Sequence, residues 1–213
     1  MRGVVPVLLS VLVVHTGCIR DELAVPAHQA GAAVTHELCL EPGYENQLWY
    51  DLATGTVMAS NDKTAWDLSF EGGETGWHIR LNGSRAMWAW DAGDVPMDQP
   101  TDTAGFGSDR KYDRPSGHAD STAIGDCRSG QHVFVIDMRT DQQGLSMCLR
   151  KLHVLSVDGS AYTVRTAALD GTGLAQHSIA KDAQREHTMF SIAQGVVPIE
   201  PVHSTWDLVL TRF

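Results

Sequence analysis

The chain has 213 residues, with 26 acidic side chains against 16 Lys and Arg, a formal net charge of −10, and six tryptophans against five phenylalanines. That length suits one domain or at most two small ones, and 43% hydrophobic with 20% charged residues is the composition of a folded globular chain. The acidic balance, without a Lys/Arg cluster, argues against a nucleic-acid partner, and no apolar run reaches the roughly 20 residues of a membrane-spanning helix.

The chain opens with Arg2 and an apolar run from Val4 to Val14, broken only by Pro6 and Ser10. Its length is that of a signal-peptide core. His15-Thr16-Gly17-Cys18 follows, and a small residue before a cysteine at this point resembles the bacterial lipobox, in which the cysteine is lipidated. Residues 1–17 are then the signal, 18–34 a lipid-anchored tether of Ala, Pro, Gly and Gln, and 35–213 the domain. An ordinary secretory signal cleaved in the Ala-rich stretch up to Ala33 is the alternative. Lipid on Cys18 would hold the domain at a membrane surface with no spanning segment. Cys39, Cys127 and Cys148 remain, an odd number, so one disulfide and a free thiol are expected with the pairing open. No CxxC is present to suggest a zinc ribbon or a thioredoxin-like site.

Along the domain, Trp49 to Val57 contains Gly55 where a tight turn would separate two short strands. Trp66, Leu68 and Phe70 alternate with Asp67 and Ser69, the period of a strand with one buried face. Trp77 to Leu81 alternates likewise and ends at the turn-forming Asn82-Gly83. Met87 to Trp90 reads as the next strand. Asp91 to Arg128, with three prolines and repeated Gly and Asp, reads as a long excursion, a kind of segment that often carries function. His132 to Arg139 and Leu145 to Val157 predict a hairpin, with a turn at 140–144. Asp158-Gly159 leads into a strand from Tyr162 to Ala167. Ala180 to His187 predicts a short helical turn.

The last segment repeats the first. Met189 to Val197 matches Trp49 to Val57 at an offset of 140 positions, and Trp206 to Leu210 matches Trp66 to Phe70 at the same offset without a gap. Two copies do not make a solenoid; they suggest one β element used twice in a domain. The tryptophans that start the alternating strands read as core, and the aspartates after them as backbone-binding turn residues. The expected fold is all-β: a single, mainly antiparallel domain with a long loop excursion and little helix.

Asp51-Leu-Ala-Thr-Gly-Thr-Val57, Thr64-Ala-Trp-Asp-Leu-Ser-Phe70, Ile79-Arg-Leu-Asn-Gly83, Val133-Phe-Val-Ile136 leading into Arg139-Thr140, and Trp206-Asp-Leu-Val-Leu-Thr-Arg-Phe213 occur in this order behind the lipobox-like start. The segments that carry them, Trp49 to Gly83, Val133 to Asp170 and Thr205 to Phe213, make up somewhat under half of the mature chain and resemble the HmuY-like family of bacterial lipoproteins. The resemblance implies an all-β lipoprotein of the outer membrane or cell surface, acting in iron acquisition by binding haem and passing it to an outer-membrane receptor. It places one axial haem ligand near His118, in Ser116-Gly117-His118-Ala119, with Met97 or Met87 as chemically competent second donors. The second ligand of the family's haemophore lies in an insertion that this chain does not match.

The other histidines carry no metal motif. His78, His132 and His153 read as strand or strand-flanking residues, with a His132–His153 surface metal pair lacking support, and neither HExxH nor H-x-x-x-H occurs. Nucleophile elbow, P-loop and dinucleotide fingerprint are likewise missing, so binding rather than catalysis is expected. A module of the same fold that binds protein or glycan through Trp77, Trp88 and Trp90 is the alternative function.

Overall fold

Twelve strands and four single-turn 3-10 helices make up the regular structure in a computed structural model that describes residues 26–27, 31–99, 101–141 and 143–212. The expected signal, Cys18 and most of the 18–34 tether lie outside the described residues. Residues 1–36 form one unit, whose described residues carry no regular secondary structure, and residues 37–213 form the other.

In the second unit, β1 (Asn46–Asp51), β2 (Thr56–Asp62) and β12 (Leu208–Leu210) form a three-stranded sheet in the order β12-β1-β2. β3 (Leu68–Glu71), β4 (Ile79–Leu81), β10 (His187–Ser191) and β11 (Gly195–Val197) form a second sheet in the order β11-β10-β3-β4. β5 (Trp88–Asp91), β6 (Val133–Asp137), β7 (Leu149–Val157), β8 (Ala161–Ala168) and β9 (Ala175–Ala180) make an antiparallel meander. The strand pairings are antiparallel, as the all-β expectation requires.

The period-two alternation sorts the side chains into two cores. Leu68 and Phe70 of β3, Ile79 and Leu81 of β4 and Phe190 of β10 pack with Phe134, Ile136, Leu152, Tyr162 and Ile179 of the meander. Phe70 meets Tyr162 and Phe190 edge-on, with ring centroids 5.1 and 5.8 Å apart. The intervening Met189 joins Trp49, Trp66 and Trp206 in a second cluster. The four-stranded sheet is thus covered by the meander on one face and by the three-stranded sheet on the other.

The repeat explains how those two smaller sheets are assembled. Each copy supplies a hairpin, β1-β2 or β10-β11, turned at Gly55 (φ 69°) or Gly195 (φ 86°). Each hairpin then pairs with the third strand of the other copy. β3 lies on β10 with Leu68 opposite Phe190, and β12 lies on β1 with Leu208 opposite Tyr50, the same register 140 positions on. Asp67 N–H donates to Phe190 O at 2.8 Å and Asp207 N–H to Tyr50 O at 2.9 Å. Each carboxylate accepts from the other copy's turn, Asp67 from Ile192 N–H at 2.7 Å and Asp207 from Leu52 N–H at 2.8 Å. The aspartates bind backbone as expected, but backbone far away in sequence.

The two aspartates differ in setting. Asp67 is buried and forms an ion pair with the equally buried Arg85, which also donates to Met138 O. Arg85 is turned inward by the 3-10 turn Gly83–Arg85, capped by Asn82 and followed by left-handed Ala86 (φ 51°). Asn82-Gly83 therefore starts a 3-10 turn rather than closing a hairpin.

Other expectations are corrected. Residues 181–186 form a turn, not a helical segment, because the Asp182 carboxylate accepts from Gln184 N–H at 2.9 Å and so takes a donor that a helix would use. The connection from β6 to β7 spans 138–148, longer than the anticipated 140–144. Cys39, Cys127 and Cys148 are free thiols rather than one disulfide and one thiol; Cys127 is enclosed in the core while the other two lie at the surface.

Removing one partner of a buried ion pair strands the other charge, whereas the exposed Asp207 leaves only a backbone donor unmet. Urea denaturation should therefore show a loss of about 3–5 kcal/mol for Asp67→Ala and about 1 kcal/mol for Asp207→Ala.

Candidate functional site

A cleft of about 620 Å³ opens beside the second core cluster. That volume lies in the range of small-molecule sites, roughly 300–1,000 Å³. The repeat builds much of its wall in pairs at the 140-position offset: Gln47 and His187, Trp49 and Met189, Trp66 and Trp206, Ser69 and Val209. The cleft therefore lies where the two copies meet. Trp49 and Trp206 are edge-to-face there, with centroids 4.7 Å apart.

Further wall comes from β4 (Arg80, Leu81), from Met87 and Trp88 at the start of β5, from the excursion segment Tyr112–Pro115 and from Glu200. Beside the cleft, Lys111 and Asp113 help to tie the excursion down. Lys111 exchanges two 2.8 Å backbone hydrogen bonds with Ala89. The Asp113 carboxylate accepts from Leu81 N–H at 2.8 Å and from Ala123 N–H at 2.7 Å. Burial raises its pKa against those two hydrogen bonds.

The two copies treat their polar groups differently. In the first, Gln47 Oε1 accepts from Trp66 Nε1–H at 2.8 Å and from Asn61 Nδ2–H at 3.1 Å, and Asn61 accepts from Trp49 Nε1–H at 2.8 Å. Both indoles are satisfied within the protein. In the second copy His187 stands at the Gln47 position and Pro201 at that of Asn61. Trp206 Nε1 and His187 Nε2 are both buried without a hydrogen-bond partner. Arg80 Nε and Trp88 Nε1 on the same wall are buried and unpartnered too.

His187 and Glu200 face each other, Nδ1 to Oε2, at 4.0 Å. Glu200 accepts from Glu186 N–H at 2.7 Å and His187 N–H at 2.9 Å, yet burial pushes its pKa up to about 7. Burial, aided by the nearby charge of Arg80, lowers His187 to about 4. In the mildly acidic range both are neutral, and the contact is not an ion pair.

The sequence-nominated ligands are elsewhere. His118 is exposed, just before the 3-10 turn Ala119–Ser121, and Met97 is half-buried in the excursion; neither lines the cleft, whereas Met87 does. His132 bonds to Asp91 at 3.0 Å instead of facing His153, and His78 bonds to Glu71 at 3.0 Å. Among the described residues, no group of three or more His, Cys, Asp or Glu side chains is placed to hold a metal ion, and no helix is long and apolar enough to cross a membrane. Arg80, His187, Met189 and Glu200 are the residues that sequence reading did not single out. Extending the repeat two positions back, to Gln47 and His187, would have flagged the histidine.

Comparison with protein-family models, with curated proteins and with solved structures finds no match to this chain.

The opposed shifts set a pH signature. A depressed histidine contributes stability that is lost as pH falls from its ordinary 6.5 towards 4, and a raised glutamate contributes stability that is lost as pH rises from its ordinary 4.5 towards 7. In the parent chain the two slopes oppose each other over the shared window. Glu200→Gln removes the second, so its unfolding free energy should climb between pH 4 and 6.5, by on the order of 2 kcal/mol relative to the parent, in denaturant titrations across that range.

Proposed function

We propose that the β-domain is a non-catalytic binding module that takes a small, largely apolar ligand into the tryptophan-lined cleft, with haem as the leading candidate. In this proposal, lipid on Cys18 holds the domain at the outer membrane or cell surface, where it hands its ligand to a membrane receptor. The observation that carries the binding reading is the cleft itself: about 620 Å³, walled by Trp49, Trp66, Trp88 and Trp206, with buried nitrogens on its wall that the protein leaves unpaired. The two carboxylates on the wall, Asp113 and Glu200, each accept two backbone N–H groups, a structural duty that favours binding over acid–base chemistry.

Haem rests on less: the family-like strings and the donor chemistry of the wall. Imidazole nitrogen and thioether sulfur are both axial haem ligands, and His187, Met189 and Met87 bring those groups to the cleft. His187 and Met189 are two positions apart on β10, on one face of the strand, so this wall fits one axial donor from β10 rather than an opposed pair. Bound haem would supply the iron that a receptor collects, and the tryptophans would cover its apolar ring.

The interaction-module alternative needs free aromatic faces. The guanidinium groups of Arg110 and Arg139 lie over Trp88 at 4.1 and 4.2 Å, Trp90 stacks on Phe106, and Lys181 lies over Trp77 at 3.9 Å. Trp77 and Trp90 are thus engaged away from the cleft, and Trp88, flanked by the two guanidinium groups, belongs to the cleft wall, which favours the cleft.

Titration of haemin into the purified protein should give a shifted Soret band, and one of His187→Ala or Met189→Leu should abolish or move it. An unshifted band in both redox states would remove haem. Quenching of tryptophan fluorescence by an apolar dye would then still support the wider binding reading.

A further inference from the structure

The chemistry of the unpaired groups says more about the ligand than its size. Trp206 Nε1 and Arg80 Nε can only donate, and His187 Nε2 donates when it carries the ring proton. His187 and Trp206 occupy the places that Gln47 and Trp66 fill in the first copy, where amide and indole are joined at 2.8 Å. Arg80 is on the same sheet face: its neighbour across the β4–β3 pair is Ser69, whose neighbour across β3–β10 is Met189, and all three line the cleft. One Arg80 nitrogen, Nη2, donates to Gly117 O at 3.1 Å, while the buried Nε has no partner. Three nitrogens without partners therefore belong to residues that line one largely apolar cavity.

The anionic groups nearby are already engaged. Asp113 and Glu200 are bound by backbone N–H groups and have raised pKa values, and the Glu71 carboxylate is held by Trp77 N–H, His78 N–H and the His78 ring. Arg80 and Arg114 bring positive charge to the wall. Unsatisfied buried donors are costly, and an anionic acceptor satisfies them with the stronger, charge-assisted kind of hydrogen bond.

We infer that the cleft is selective for an apolar molecule ending in a carboxylate, with the carboxylate received by Arg80, His187 and Trp206 and the apolar body lying along Trp49, Trp66 and Met189. The inference rests on the reading that the cleft takes a ligand, and does not require that ligand to be haem. The first copy of the repeat, with its glutamine, is the closed form of the same element; the second, with its histidine, is the open form.

The test compares dodecanoate with methyl dodecanoate by tryptophan fluorescence titration of the full protein at neutral pH. The acid should bind at least about tenfold more tightly than its ester, the worth of one hydrogen bond to a charged group. Trp206→Phe removes the N–H donor together with the five-membered ring, so both compounds lose packing but the acid should lose about tenfold more affinity than the ester. His187→Gln should let the new amide accept the Trp206 indole N–H as Gln47 accepts that of Trp66. It should erase the preference for the acid while the melting temperature holds or rises. Equal affinity for acid and ester, or a preference that survives both substitutions, would overturn the inference and leave a general binding cleft standing. Failure of both compounds to bind would overturn the binding reading with it.

Discussion

Two short strands, β3 and β12, each pair with the hairpin of the other repeat rather than their own, and this exchange is the constraint on which the rest of the molecule depends. The Asp67 carboxylate marks the crossing point. It accepts the Ile192 N–H of the other copy and pairs with the buried guanidinium of Arg85. Arg85 in turn fixes the turn from which Met87 and Trp88 reach the cleft. One carboxylate so links the repeat, the turn after β4 and one wall of the site. Its counterpart Asp207 repeats the backbone bond without the ion pair, which is why two residues alike in sequence differ in importance.

The repeated halves are alike in backbone and unlike in side chain, and the site is built from that difference. Trp49 is matched by Met189 and Gln47 by His187, so the first half closes its hydrogen bonds internally and the second leaves them open. Buried polar groups without partners are uncommon in folded proteins; four such nitrogens, on Arg80, Trp88, His187 and Trp206, belong to residues of the cleft wall, and others, on Arg85, Trp90 and His153, lie away from it.

Much of the fold was legible in the sequence because period-two alternation is a local signal. Trp66 to Phe70 and Trp77 to Leu81 carry it, Val133 to Ile136 is a short run of β-branched and aromatic residues instead, and strands form at each. The 140-position repeat was legible as well, but its meaning was not: nothing local in Trp-Asp-Leu says that the strand pairs with the other copy. Ala180 to His187 misled because residues that suit a helical turn are captured there by the Asp182 carboxylate. Of the site, the tryptophans were visible but read as core, which is half of what they are. Trp49 and Trp66 are buried and also line the cleft. Arg80 and His187 were not visible, because a polar residue on a strand looks solvent-facing until a second sheet is known to cover that face, and Glu200 lies in a loop beyond β11 with no local pattern to mark it.

The reciprocal exchange also bears on how the chain reaches its folded state. β1 begins at Asn46, yet its inner edge is completed only by β12, which ends at Leu210. A contact between opposite ends of a domain closes a loop of nearly the whole chain, and such non-local pairing slows folding. The first hairpin must wait, with one edge open, until the final strand has been synthesised. A change that weakens β12 is therefore felt at the other end of the domain, along the edge of β1 that it covers.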